Sequence, residues 1–218
     1  VPLVLACAPS GPGEITYATG RNAGETADGL FRVDSPFGVS AKVFVRPGVS
    51  LDEYDQVMLD PVRVRYLRSS SRHLDAEAQE ILEARFEDAL KKQLEKSEVY
   101  TLVETPGPNV LRVQASIVDL DVTAPPDTAP TAQTTVFVSS AGAMTGLLEI
   151  SDSQSKQALV RAADRQQVSD VAGTIVENSP TASLADAAVL FRHWALKVRG
   201  WLDHVREIPP LPEGAEVE

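Results

Sequence analysis

The chain has 218 residues, of which 43% are hydrophobic and 23% charged, with a formal net charge of −11. Those proportions belong to a folding globular chain and exclude wholesale disorder and a multispanning membrane protein. The negative charge opposes nucleic-acid phosphate and anionic lipid headgroups, and no stretch gathers enough Lys and Arg to reverse that locally.

Val1-Pro2-Leu3-Val4-Leu5-Ala6-Cys7 reads as a signal-peptide remnant, an apolar run with a small residue before the chain's one cysteine. A lone Cys rules out a disulfide or a thiolate cluster within the chain. The segment resembles a bacterial lipobox, in which the Cys carries a diacylglyceryl thioether and usually an amide-linked acyl chain; an ordinary core thiol is the other reading. Acyl chains contribute about 0.8 kcal/mol per buried methylene, so lipidated Cys7 would anchor the chain to a membrane. Ala8, where an Asp would favour retention at the inner membrane, points to the outer membrane facing the periplasm.

Residues 8–40 are rich in Gly, Pro, Ser, Thr and Asp without a lasting apolar period, and read as a flexible tether. A single α+β domain is expected over 41–206. It opens with a strand at Ala41–Arg46, closed by Pro47-Gly48. Val62, Val64 and Tyr66 then alternate with Arg63 and Arg65, whereas Val57 and Leu59 have the opposite phase, so Asp60-Pro61 marks a bulge or an edge. Helical spacing takes over from Leu74 to Leu94, with Leu74, Ala78, Ile81, Leu82, Phe86, Ala89, Leu90 and Leu94 in the apolar stripe and Asp75 at the start.

Val99–Val103 and Val110–Val122, joined through Pro106-Gly107-Pro108-Asn109, read as adjacent strands, and Leu111, Val113, Ala115 and Ile117 share a face. Ala124–Pro130 is too Pro-rich for a strand and reads as an exposed loop containing Pro125 and Pro126. Met144–Ile150 and Gln157–Ala163 form a hairpin around Asp152-Ser153-Gln154-Ser155, where Asp152 bonds its own turn. A second long helix follows from Leu184 to Val205, with Ser183 as its cap, and 207–218 is an acidic Pro-rich tail. The expected fold is α+β, an antiparallel sheet with two long amphipathic helices packed on one face.

Chemistry is sparse. His193 and His204 are eleven residues apart on one helix, about 16 Å, too far to share a metal, and His73 stands alone. No strained Gly-x-Ser-x-Gly elbow is present, and Gly142-Ala143-Met144-Thr145-Gly146 lacks the spacing and Lys of a phosphate loop, so it reads as close packing. Asp119 and Asp121 share a strand face and would serve a carboxylate hydrolase or calcium, against the simpler reading of a solvated strand end. Trp194 and Trp201, seven apart, suit either a docking stripe or the core, with the core preferred. No metal or cofactor is implied.

The segments Phe44–Val49, Tyr54–Val62 and Leu102–Leu111, with Leu147–Ser153 and Trp194-Ala195 further on, resemble the bacterial envelope lipoproteins grouped as domain of unknown function 3313. Where that family usually has Gly after the hairpin Asp-Ser, this chain has Ser155-Lys156. The resemblance implies a fold and a compartment, and no active site. The expected function is a lipid-anchored, non-enzymatic binding or accessory module with an unknown envelope protein as partner. Arg63, Arg65, Pro125 and Pro126 are the candidate contacts. A lipid or glycan carrier, with a cavity of several hundred cubic ångströms between helices and sheet, is the alternative.

Overall fold

The computed structural model describes residues 16–34, 41–66, 76–118, 143–167 and 180–206. Within these residues lie strands β1 (Thr16–Tyr17), β2 (Phe31–Asp34), β3 (Lys42–Val45), β4 (Gln56–Leu59) and β5 (Arg63–Arg65), helix α1 (Ala76–Leu94), strands β6 (Thr101–Val103), β7 (Val110–Val118), β8 (Ala143–Asp152) and β9 (Ala158–Gln167), and helix α2 (Pro180–Val205). The strands join in one sheet in the order β1-β2-β3-β9-β8-β7-β4-β6, with β5 also paired to β7.

The sheet is mostly antiparallel, but β4 runs parallel to both β6 and β7, and β5 runs parallel to β7. The wholly antiparallel expectation is therefore corrected at this end, and β6 and β7 are not neighbours, because β4 lies between them. Gln56 pairs with Thr101 on one side and Val110 on the other. The Pro106–Asn109 turn ends with Asn109 at φ 62, and the Asn109 carbonyl accepts from the N–H groups of Asp55 and Gln56, tying the connection across the start of β4. A turn motif announces a reversal; it does not say which strand will fill the space between.

Of the two readings of the phase change at Asp60-Pro61, bulge or edge, the register gives a bulge. Leu59 faces Val113 and Arg63 faces Ser116, so four residues advance here against three on β7. Asp60 N–H donates to the Val113 carbonyl at 2.9 Å, and Pro61, which has no N–H to offer, occupies the irregular step. The extra residue lets Val57 before it and Val62 and Val64 after it all be buried.

Residues 16–34 overturn the tether expected over 8–40. Strand β1 pairs with β2 and β2 with β3, and Ala18, Leu30 and Val33 are buried. Strands this short show no period. The glycines that suggested flexibility make turns, Gly20 at φ 59 and Gly29 at φ 80, and the Thr26 hydroxyl accepts from Leu30 N–H at 2.9 Å.

Helix α1 buries Ala78, Leu82, Phe86, Leu90 and Leu94, a strict four-residue repeat. Helix α2 begins at Pro180, ahead of the expected start; Pro suits the first helical position, so Ser183 lies inside the helix instead of capping it. The helices meet through Phe86 stacked on Phe191, with centroids 4.9 Å apart, and Phe86 also meets Trp194 at 5.6 Å. Both helices share apolar clusters with Leu111, Val113, Ala115 and Ile117 of β7. Trp194 and Trp201 are buried core residues, and a Cβ on Gly146 would lie 3.1 Å from the Trp194 ring, which accounts for that glycine.

Candidate functional site

The residues of β7 that alternate with its buried set are Arg112, Gln114 and Ser116, and register extends them into two rows across the opposite face. One row runs Ser116, Leu147, Ala163, Lys42; the other runs Gln114, Glu149, Arg161, Phe44. Apart from Lys42, these rows line a groove of about 330 Å³ together with Thr26 and Arg65.

The second row is tied up in ion pairs. Arg161 Nε donates to Glu149 Oε2 at 2.6 Å and its terminal nitrogen to Asp28 Oδ1 at 2.7 Å. The Arg161 hydrogen bond, seconded by the Thr26 hydroxyl, lowers the Asp28 carboxyl to about 2. Beside the groove, Arg112 grips both oxygens of Asp60 at 2.9 and 3.0 Å through Nε, and Gln114 Nε2 donates to the same carboxylate at 2.7 Å. That grip raises the Arg112 pKa and fixes the bulge to β7.

The first row is different. Ser116, 8% exposed, lines the groove. Arg65 lines the same groove, exposed, and forms no ion pair among the described residues. Its neighbour Arg63 is taken up by Glu83 of α1 at 3.3 Å. Glu83 Oε1 also accepts from Val64 N–H at 2.8 Å, and Glu87 Oε2 from Val62 N–H at 3.2 Å, so α1 caps the outward backbone groups of β5.

Between α2 and the sheet is a smaller apolar cavity of about 70 Å³, lined by Phe86, Gly146, Trp194 and Val198 among others. It falls far short of the several hundred cubic ångströms that the carrier reading requires. At its edge the Asp164 carboxylate accepts from Trp194 Nε1 at 3.2 Å and Lys197 Nζ at 3.0 Å, joining α2 to β9.

In the hairpin, Asp152 Oδ1 accepts from Gln154 N–H, Ser155 N–H and the Ser155 hydroxyl, the turn bonding expected of it. Burial pushes the Asp152 carboxyl up, but these bonds and one from the Tyr54 hydroxyl hold it below its ordinary value. Lys156 adopts φ 60, the left-handed conformation that explains why Gly suits this turn in the family pattern. His193 is half-buried on α2, and His204 Nδ1 lies 2.6 Å from the Gly200 carbonyl. Cys7, His73, Asp119, Asp121, Pro125 and Pro126 lie outside the described residues. Among the described residues, no group of three or more His, Cys, Asp or Glu could hold a metal ion, and no helix is long and apolar enough to cross a membrane.

Sequence reasoning missed Gln114, Ser116, Leu147, Glu149 and Arg161. Their signal is the alternation of polar residues along β7, but only the register shows which residues of β8 and β9 join them. Fold and site together define an α+β domain with a grooved, ion-paired sheet face. The chain belongs to the family described as protein of unknown function DUF3313, whose pattern matches residues 26–198. The comparison with curated proteins finds no match.

The fold is similar to solved structures of low identity. The PelC dodecamer from Paraburkholderia phytofirmans is 8% identical with a TM-score of 0.39, covering 72% of this chain and 96% of that one. The hypothetical protein CT253 from Chlamydia trachomatis is 14% identical with a TM-score of 0.36, covering 68% and 98%. Protein XCC0632 from Xanthomonas campestris is 11% identical with a TM-score of 0.38, covering 72% and 89%.

Proposed function

We propose that the protein is a lipid-anchored binding module of the bacterial envelope, held by acyl chains on Cys7 at the outer membrane facing the periplasm. It acts without catalysis, and it engages an envelope partner through the sheet face opposite its two helices. The observation that carries this reading is the groove: a concave strip of ion-paired and apolar side chains ending at Arg65, which forms no ion pair among the described residues. Groups arranged this way recognise a shape and a charge. Asp28, the carboxylate bonded to Arg161, is too weak a base at neutral pH to abstract a proton.

The anchor is tested by intact mass of the protein from its native membrane fraction beside a Cys7→Ser variant. Acyl mass on the native chain, lost in the variant, is expected; an unmodified Cys7 removes the anchor. The face is tested by a photo-crosslinking residue at Ala163, compared with one at His193 on α2. A discrete adduct from the groove position alone is expected, and equal labelling from both positions would refute the face.

A further inference from the structure

We propose that the groove seats an anionic amphiphile, with a single carboxylate or phosphate head at Arg65 and Ser116 and an apolar body lying on Leu147 and Ala163. This rests on the open sheet face being the binding face. It adds what the face binds.

The head site follows from the register of β5 and β7. Arg63 pairs with Ser116, Val64 with Ile117 and Arg65 with Val118. Val64 and Ile117 are both in the core, so Ser116 and Arg65 stand on the opposite surface, two register steps apart, and both line the groove. A guanidinium stays charged at any physiological pH and presents its donors as a fork that matches the oxygens of a carboxylate or phosphate. The other arginines near this site are occupied, Arg161 by Glu149 and Asp28, Arg63 by Glu83 and Arg112 by Asp60. Arg65 is exposed and forms no ion pair among the described residues, and Ser116 lines the groove beside it. A ligand oxygen placed between them supplies an acceptor to both.

The body site follows from the same row. From Ser116 the next residues across the sheet are Leu147 and Ala163. Two strand spacings make an apolar shelf of about 10 Å. Along one side runs the ion-paired row, whose side chains already satisfy one another and so form a wall, offering little to a second polar group. With about 330 Å³, the groove lies at the small end of the range for ligand sites. Its lining carries two arginines against one glutamate in a chain whose net charge is −11, so the site singles out an anion from an otherwise repelling surface.

The test uses the full chain carrying Cys7→Ser, so that its own acyl chains cannot compete, titrated with decanoate, decyl phosphate, decanol and inorganic phosphate. Decanoate and decyl phosphate are expected to bind at least about ten-fold tighter than decanol or inorganic phosphate, and Arg65→Gln to weaken both by about ten-fold or more. Arg63→Gln, on the same strand but paired to Glu83, should change affinity by less than about two-fold. Decanol matching decanoate, inorganic phosphate matching decyl phosphate, an unaltered Arg65→Gln, or no binding at millimolar decanoate would each overturn the proposal. A crosslinked adduct from Ala163 without decanoate binding would overturn the amphiphile and leave the binding face standing, so the two readings fail separately.

Discussion

The two faces of β7 are built from the same nine residues and behave as different materials. On one face Ala115 and Ile117 pack in an apolar cluster with Phe86, Phe191 and Trp194, and Val113 in a second one with Leu94, Trp201 and Leu202. On the other, Arg112 and Gln114 are satisfied by the single carboxylate of Asp60, and Ser116 lines the groove. Packing energy accumulates with every methylene removed from water, whereas partly exposed ion pairs are screened and return little. Stability therefore resides with the helices, and the polar face can be altered at small cost to the fold.

Mutations on the two faces should separate sharply. Phe191→Ala, at a fully buried ring stacked on Phe86, should cost about 3–5 kcal/mol, read as a large drop in thermal midpoint. A loss below about 1 kcal/mol would mean that the helix layer rearranges freely, and the contrast would collapse. Asp164→Ala, which strips a buried acceptor from Trp194 and Lys197, should cost about 2 kcal/mol by denaturant unfolding, moderated because Lys197 can turn toward water.

On the polar face, Arg112→Ala should cost only about 1 kcal/mol despite deleting a bidentate pair, because the pair is partly solvated. A cost equal to that of Phe191→Ala would make the bulge as central to stability as the aromatic core. The smallest effect concerns Asp28. Its carboxyl is lowered from 3.8 to about 2 by Arg161, so its contribution is complete above the unfolded value and is lost as pH falls through the folded one. Stability of the native chain should therefore decline slightly more than that of Arg161→Gln between those two values, and identical pH profiles would show that the exposed pair adds nothing.

The elements that the sequence made readable are those whose residues repeat at one interval. Helix α1, helix α2 and the β8–β9 hairpin each carry their period in consecutive residues, and the phase slip at Asp60-Pro61 exposed the bulge. Strands β1 and β2 escaped because two to four residues cannot establish a period. The parallel end of the sheet escaped because β6 and β7 look alike whether they touch or flank β4. At the candidate site the alternation singled out Arg63 and Arg65 equally. What distinguishes them is Glu83, on a helix that begins after the strand has ended, and local pattern holds no trace of that partnership.

The capping of β5 by α1 has a consequence for how copies of this chain meet. Alternate strand residues are separated by about 6.6 Å, and residues four apart on a helix by about 6 Å, so Glu87 and Glu83 match the step from Val62 to Val64. Helix α1 is in effect a counterfeit strand, presenting acceptors at the right pitch and no donors with which to pass the pattern on. An approaching chain finds this margin of the sheet already answered. Copies crowded against one another can touch along it without templating a growing ladder.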